Sequence, residues 1–174
     1  MKNVIDVGDT RALVAALLIL GGCGNGSIGG IGSGTGGGAS TGTGGASPSG
    51  VEQLCVDTIN HYRATLGPGV APYQRWMDAE LCADGQAQSD SETGTAHGAF
   101  GACTEWAQNE CPGWSPPRES MITDCLKGMW DEGPGDFNAG HGHYVNMSST
   151  KYTLVACGFY TTPDGKIWSV QDFK

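Results

Sequence analysis

Residues 24–50 are almost entirely Gly, Ser, Thr and Ala, carry no charged side chain and include few large apolar ones. Such a stretch buries too little to offset its conformational entropy, so it is expected to be a flexible tether, its ends about 30 Å apart by random-coil scaling. Folding is thereby confined to residues 51–174, the usual size of one domain with one core.

Ahead of the tether, Lys2 and Arg11 flank an apolar run over residues 12–20 that is too short for a permanent membrane helix. Leu20-Gly21-Gly22-Cys23 then resembles a bacterial lipobox, in which signal removal exposes the cysteine for lipid attachment. The expectation is a signal peptide with lipobox over 1–23, lipidation at Cys23, a linker over 24–50 and an exported domain. That domain is held at the cell envelope by its lipid or, if the leader is an ordinary one, secreted. With Cys23 set aside, the seven cysteines leave six, the even number that a disulfide framework in an oxidising compartment requires. The sequence does not choose among pairings of Cys55, Cys82, Cys103, Cys111, Cys125 and Cys157, although Cys103 and Cys111 bracket a short loop and form one candidate pair. A cysteine-bound zinc is disfavoured because no Cys-x-x-Cys pair occurs.

The net charge is −9, and because Asp6 and Asp9 cancel Lys2 and Arg11 the whole excess belongs to the domain. That field repels phosphate backbones and argues against nucleic acid as a partner. A monomer is expected, touching a membrane only through the N-terminal lipid.

Within the domain, Val51, Leu54, Cys55, Thr58, Ile59, Tyr62 and Leu66 recur at helical spacing, with Glu52, Gln53, Asp57, Asn60, His61 and Arg63 at polar positions, until Gly67-Pro68-Gly69 stops the pattern. Asp78 is placed to cap a second helix that turns Leu81, Cys82 and Gln86 inward and ends before Gly94. Ser115-Pro116-Pro117 opens a third, striped by Ile122, Cys125, Leu126 and Met129. Strands are predicted over 144–147, 153–160 and 167–173, the last two joined by the turn Pro163-Asp164-Gly165. Helices first and antiparallel strands later is an α+β order. On the first of those strands, alternation sends His141, His143 and Val145 to one face and Gly142, Tyr144 and Asn146 to the other.

Gly140-His141-Gly142-His143-Tyr144, followed by Ala156-Cys157-Gly158, resembles the signature of the CAP superfamily (cysteine-rich secretory proteins, antigen 5, pathogenesis-related proteins), which reads Gly-His-Tyr and then Gly-Cys-Gly. Ala156 stands in place of one glycine. The resemblance continues through Asn60-His61-Tyr62-Arg63, Pro72-Tyr73-Gln74-Arg75-Trp76, Ala96-His97-Gly98 and Met129-Trp130-Asp131-Glu132, in the family's order. It implies a disulfide-stabilised α-β-α sandwich with a small antiparallel sheet between helices.

The same resemblance implies a cavity lined by two histidines and two acids, which in some members hold a divalent metal. Position by position, His97 and His143 match the histidines and Glu132 one acid, with Tyr144 beside them. The other acid, Glu of a Gly-Glu-Asn triplet, matches Gln108 in Ala107-Gln108-Asn109, and Glu105 or Glu110 is placed to substitute for it. His97, His143 and Glu132 are chemically suited to zinc or another divalent cation with a position left for water, although an amide at Gln108 weakens such a site. His141 is read as a further ligand or a solvated neighbour. No catalytic residue is assigned, no cofactor is required, and nucleophile elbows, His-Glu-x-x-His helices and phosphate-binding loops are missing from the sequence.

Three function classes stand. The first is a binding module for a small apolar or lipid-like ligand, which the resemblance alone suggests. The second is a metal-dependent hydrolase or protease with Glu132 as base, and the third a structural or adhesive surface protein with a vestigial cleft. Binding is favoured.

Overall fold

The computed structural model describes residues 50–174, so the expectations placed on the leader, on Cys23 and on nearly all of the tether lie outside the described residues. The elements run α1 Val51–Ala64, β1 Gln74–Arg75, α2 Met77–Thr93, β2 Ala107–Trp114, α3 Arg118–Asp131, a 3₁₀ turn Phe137–Ala139, α4 Gly142–Ser148, β3 Leu154–Thr161 and β4 Ile167–Phe173. The sheet order is β1-β3-β4-β2, with β4 antiparallel to both neighbours and β1 parallel to β3. The α+β class stands, and the two-residue β1 makes the sheet mixed rather than purely antiparallel. Among the described residues no helix is long and apolar enough to cross a membrane.

Strand alternation divides the protein into layers. Val155, Cys157 and Phe159 of β3, Ile167 and Phe173 of β4, and Ala107 and Cys111 of β2 join the core formed with α1, α3 and Met147 of α4. Ala156 and Val170 face the other way, onto Ala79, Ala83 and Ala87 of α2. A Cβ at Gly158 would stand 2.2 Å from the Ala83 carbonyl carbon, so this glycine is required by the close approach of α2 to the sheet. Where α2 faces Ala156 and Val170 it presents alanines. Leu81, expected inward, is 84% exposed, and Cys82 is exposed as well.

Further corrections follow from contacts between remote segments. In α1 the buried face is Cys55, Val56, Ile59 and Arg63, while Leu54 and Leu66 reach solvent. Arg63, expected on the polar face, is buried because its guanidinium donates to the carbonyls of Ala71, Met147 and Ser149 and lies 3.5 Å over the Tyr73 ring. Asn60 exchanges two hydrogen bonds with the Tyr73 backbone, and with Arg63 it fastens the chain entering β1. No side chain caps α2, where Asp78 lies in the first turn behind Trp76. The third helix has the expected stripe, with Met121 added.

The segment containing 144–147 is helical, not a strand, so the alternation expected for His141, His143 and Val145 does not apply. β2, in turn, was not anticipated. Along its outer edge α4 is packed, Asn146 donating to the Gln108 carbonyl. The six cysteines pair as Cys55–Cys157, Cys82–Cys103 and Cys111–Cys125. The Cys103–Cys111 alternative fails because Cys111 leaves β2 toward α3, while Cys103 is drawn to α2.

Candidate functional site

The end of α3 and the start of α4 cap each other. The Glu132 carboxylate accepts from the backbone amides of His143 at 3.0 Å and Tyr144 at 3.2 Å, the second and third residues of α4, where helix amides lack intrahelical partners. Its other oxygen accepts from His143 Nδ1 at 2.5 Å, which puts the proton on that nitrogen and fixes the ring. In return His141 Nδ1 donates to the Glu132 carbonyl at 2.6 Å and the Gly133 carbonyl at 3.1 Å, at the C-terminal end of α3. Gly135 lies against that imidazole, a Cβ there falling 2.3 Å from the ring. His141 is thus a helix cap, and a nonlocal carboxylate, not strand propensity, sets the conformation of His143. Tyr144 lies tilted against Trp130 with centroids 4.6 Å apart, and Trp130 in turn stacks on Tyr62 at 5.5 Å. His61 is on the surface, as expected.

His97 is held in a second network, on the α2 side of the sheet. Gln86 donates to the Ala99 carbonyl and to Glu105, so its oxygen is the acceptor for Gln108 Nε2 at 3.0 Å. Gln108 Nε2 also donates to Asp172 Oδ1 at 2.9 Å, its register partner on β4. The orientation of the Gln108 amide is therefore fixed, and its oxygen accepts from His97 Nδ1 at 2.9 Å. Two residues along, on the same face of β2, Glu110 Oε2 accepts from the His97 amide at 2.6 Å and lies 3.7 Å from His97 Nδ1. Glu110 is accordingly the acid nearest this imidazole, and Glu105 binds Gln86 instead. Burial pushes the Glu110 and Asp172 carboxyls up to about 8, neighbouring carboxylates adding to the shift.

Gln108, on the α2 face of β2, meets the His97 imidazole, and Asn109, pointing the other way, donates to the His143 backbone carbonyl. Among the described residues, one set of three His, Cys, Asp or Glu side chains brings ligand atoms within 4.8 Å of one another, and it is Cys103, Glu105 and Asp172. Cys103 is oxidised to a disulfide and supplies no thiolate. His97, His143 and Glu132 are not in that set, and Glu132 already accepts from three donors.

Three clefts that the sequence did not suggest lie in series about Arg63 and Tyr152. A cleft of about 140 Å³ beside Ala64 and Val70 shares Arg63 and Pro72 with one of about 190 Å³. That one shares Thr150 and Tyr152 with a third of about 320 Å³, lined further by Val145, Ser148 and Lys151. The series changes character from one end to the other, from aliphatic at Val70 to hydroxyl-bearing and cationic at Lys151.

A family model described as "CAP: Cysteine-rich secretory protein family" matches residues 56–173. Among solved structures, "Structure of BmVAL-1" is 18% identical with a TM-score of 0.59, the match covering 76% of this chain and 80% of that one. "Crystal Structure of Na-ASP-1" is 13% identical with a TM-score of 0.50, covering 71% of this chain and 38% of that one. At these identities the likeness is one of fold. No curated protein sequence matches.

Proposed function

Because the chain belongs to the CAP family of cysteine-rich secretory proteins, we propose that it is an exported binding module for a small amphiphile, a lipid-like molecule with an apolar tail and an anionic end. The observation that carries this reading is the set of three clefts about Arg63 and Tyr152, each sharing lining residues with the next. Its graded lining suits an amphiphile, the tail lying by Val70 and Pro72 and the head by Lys151 and the hydroxyls of Ser148 and Thr150. Three disulfides accord with an oxidising compartment. Lipidation at Cys23 is the proposed anchor, and Cys23→Ser then moves the protein from the membrane fraction to the medium.

A fluorescent long-chain fatty acid titrated into the full chain tests the binding reading. Saturable one-to-one binding, displaced by unlabelled palmitate and weakened at least tenfold by Val70→Asp, is expected. Absence of saturation, or binding that Val70→Asp leaves unchanged, refutes it. The hydrolase reading draws no support from the geometry, since Glu132, its assigned base, is occupied in capping α4.

A further inference from the structure

Four carboxyl groups lie buried around the loop over residues 95–106: Asp90 and Asp172 are 0% exposed, Glu105 3% and Glu110 4%. Each uses one oxygen conventionally. Asp90 Oδ1 accepts from the Ala99 amide, Glu110 Oε2 from the His97 amide, Glu105 Oε1 from the Gly101 amide and Gln86, and Asp172 Oδ1 from Gln108. Three alternate residues of the loop, 97, 99 and 101, are thus pinned by three different carboxyls. The second oxygen of every member, Asp90 Oδ2, Glu105 Oε2, Glu110 Oε1 and Asp172 Oδ2, is buried without a donor.

We propose that these four groups form two proton-sharing pairs, Asp90 with Glu110 and Glu105 with Asp172, which latch the loop carrying His97 and release it when the protons are lost in alkaline medium. The pairing follows from position: Asp90 and Glu110 hold the amides of Ala99 and His97, two residues apart on the loop, and Glu105 and Asp172 bring oxygens within 4.8 Å. One proton per pair gives both orphaned oxygens a partner, as donor and acceptor, and halves the buried charge. Four ionised carboxylates would instead be buried together with one imidazole, His97 against Glu110, as the single group able to offset them, a state that burial strongly disfavours.

The groups facing each member supply little relief. Glu110 meets Asp90 from α2, Asp172 from β4 and the His97 imidazole from the loop; Asp172 meets Glu105 from the loop and Asp90 from α2. Of the cations, Lys174 Nζ reaches the loop and donates to the Thr104 carbonyl and hydroxyl, while Arg75 pairs with Glu52 and Glu80 and Lys127 with Asp131. Glu110 and Asp172, each pushed up to about 8, are the proton carriers at neutral pH. Their raised values mean that the native state holds protons the unfolded chain has released, so stability is full below the ordinary carboxylate range and is lost as pH rises toward about 8.

The test is urea unfolding of the full chain at pH 6 and pH 8, with amide hydrogen exchange of His97, Ala99 and Gly101. One such group changes the unfolding equilibrium by up to about tenfold per pH unit within its window. We expect the unfolding constant to rise at least tenfold between the two pH values, and the three amides to exchange faster at pH 8 beyond the intrinsic base effect. The double variant Glu110→Gln, Asp172→Asn, in which an amide donor replaces each proton, should fold and lose most of that pH dependence. A pH-independent parent, or a variant with the parent's full dependence, overturns the latch. So does stabilisation of the parent at pH 8 by calcium or zinc that Asp172→Asn abolishes, which would make the cluster a cation site.

Discussion

Restoring the family's acid at position 108 should harm this protein, and more at high pH than at low. Gln108 is 1% exposed, and its Nε2 donates to Gln86 Oε1 at 3.0 Å and Asp172 Oδ1 at 2.9 Å. Gln108→Glu removes both donors and leaves two buried acceptors without a partner, a loss of about 1–3 kcal/mol each. At pH 5 the new carboxyl can carry a proton and donate to one of them, so a destabilisation of about 2 kcal/mol is expected there. At pH 8.5 it must either ionise beside Asp172 or hold its proton against the solvent, and the loss should exceed about 4 kcal/mol. Urea unfolding at the two pH values, with circular dichroism as readout, measures both. A loss below about 1 kcal/mol at pH 8.5, or equal losses at both pH values, refutes the argument that Asp172 makes an amide necessary at this position.

Two packing predictions stand beside it. Gly158→Ala drives a methyl into the α2 backbone at Ala83 and should cost about 3 kcal/mol or prevent folding, read by thermal melting, whereas Ala156→Gly on the same face should cost only about 1 kcal/mol. Replacing Cys55 and Cys157 together by Ala opens a link between residues 102 apart in sequence, and chain-entropy reasoning gives a loss of about 4–5 kcal/mol, measured as a fall in urea midpoint.

Where side chains face one partner of ordinary size, the sequence pattern is sufficient. The stripe Ile122, Cys125, Leu126 and Met129 and the hairpin about Pro163-Asp164-Gly165 are found as read, because helical period and turn chemistry are local. Helix α2 escapes that reading because it packs through alanines, which carry almost no hydrophobic signal, while its Leu81 is a surface residue. Tyr144 and Val145 suggest a strand by propensity, yet the amides of His143 and Tyr144 are satisfied from Glu132, a partner no local window contains. Polar Gln108, Asn109 and Glu110 conceal β2, whose register with Asp172, Gln171 and Val170 explains them.

The site divides along the same line. Glu132 and His143 were each singled out through the motifs, and they meet in a hydrogen bond that the motifs did not state. The arrangement around His97 was not, because Asp90, Glu110 and Asp172 come from α2, β2 and β4 and converge only after the sheet has formed. The clefts about Arg63 were likewise hidden, as they depend on that arginine drawing together three separate carbonyls.

The borders of the sheet leave little for another polypeptide to join. One flank ends in a strand of two residues, and the other is sheltered by α4 near Gln108 and broken by Pro112 where the register shifts before Trp114. Proline and irregularity of this kind discourage intermolecular ladder formation. Among the described residues these borders are therefore a poor template for backbone pairing, and on β3 beyond Val155 it is Asp84 that takes up the Phe159 amide.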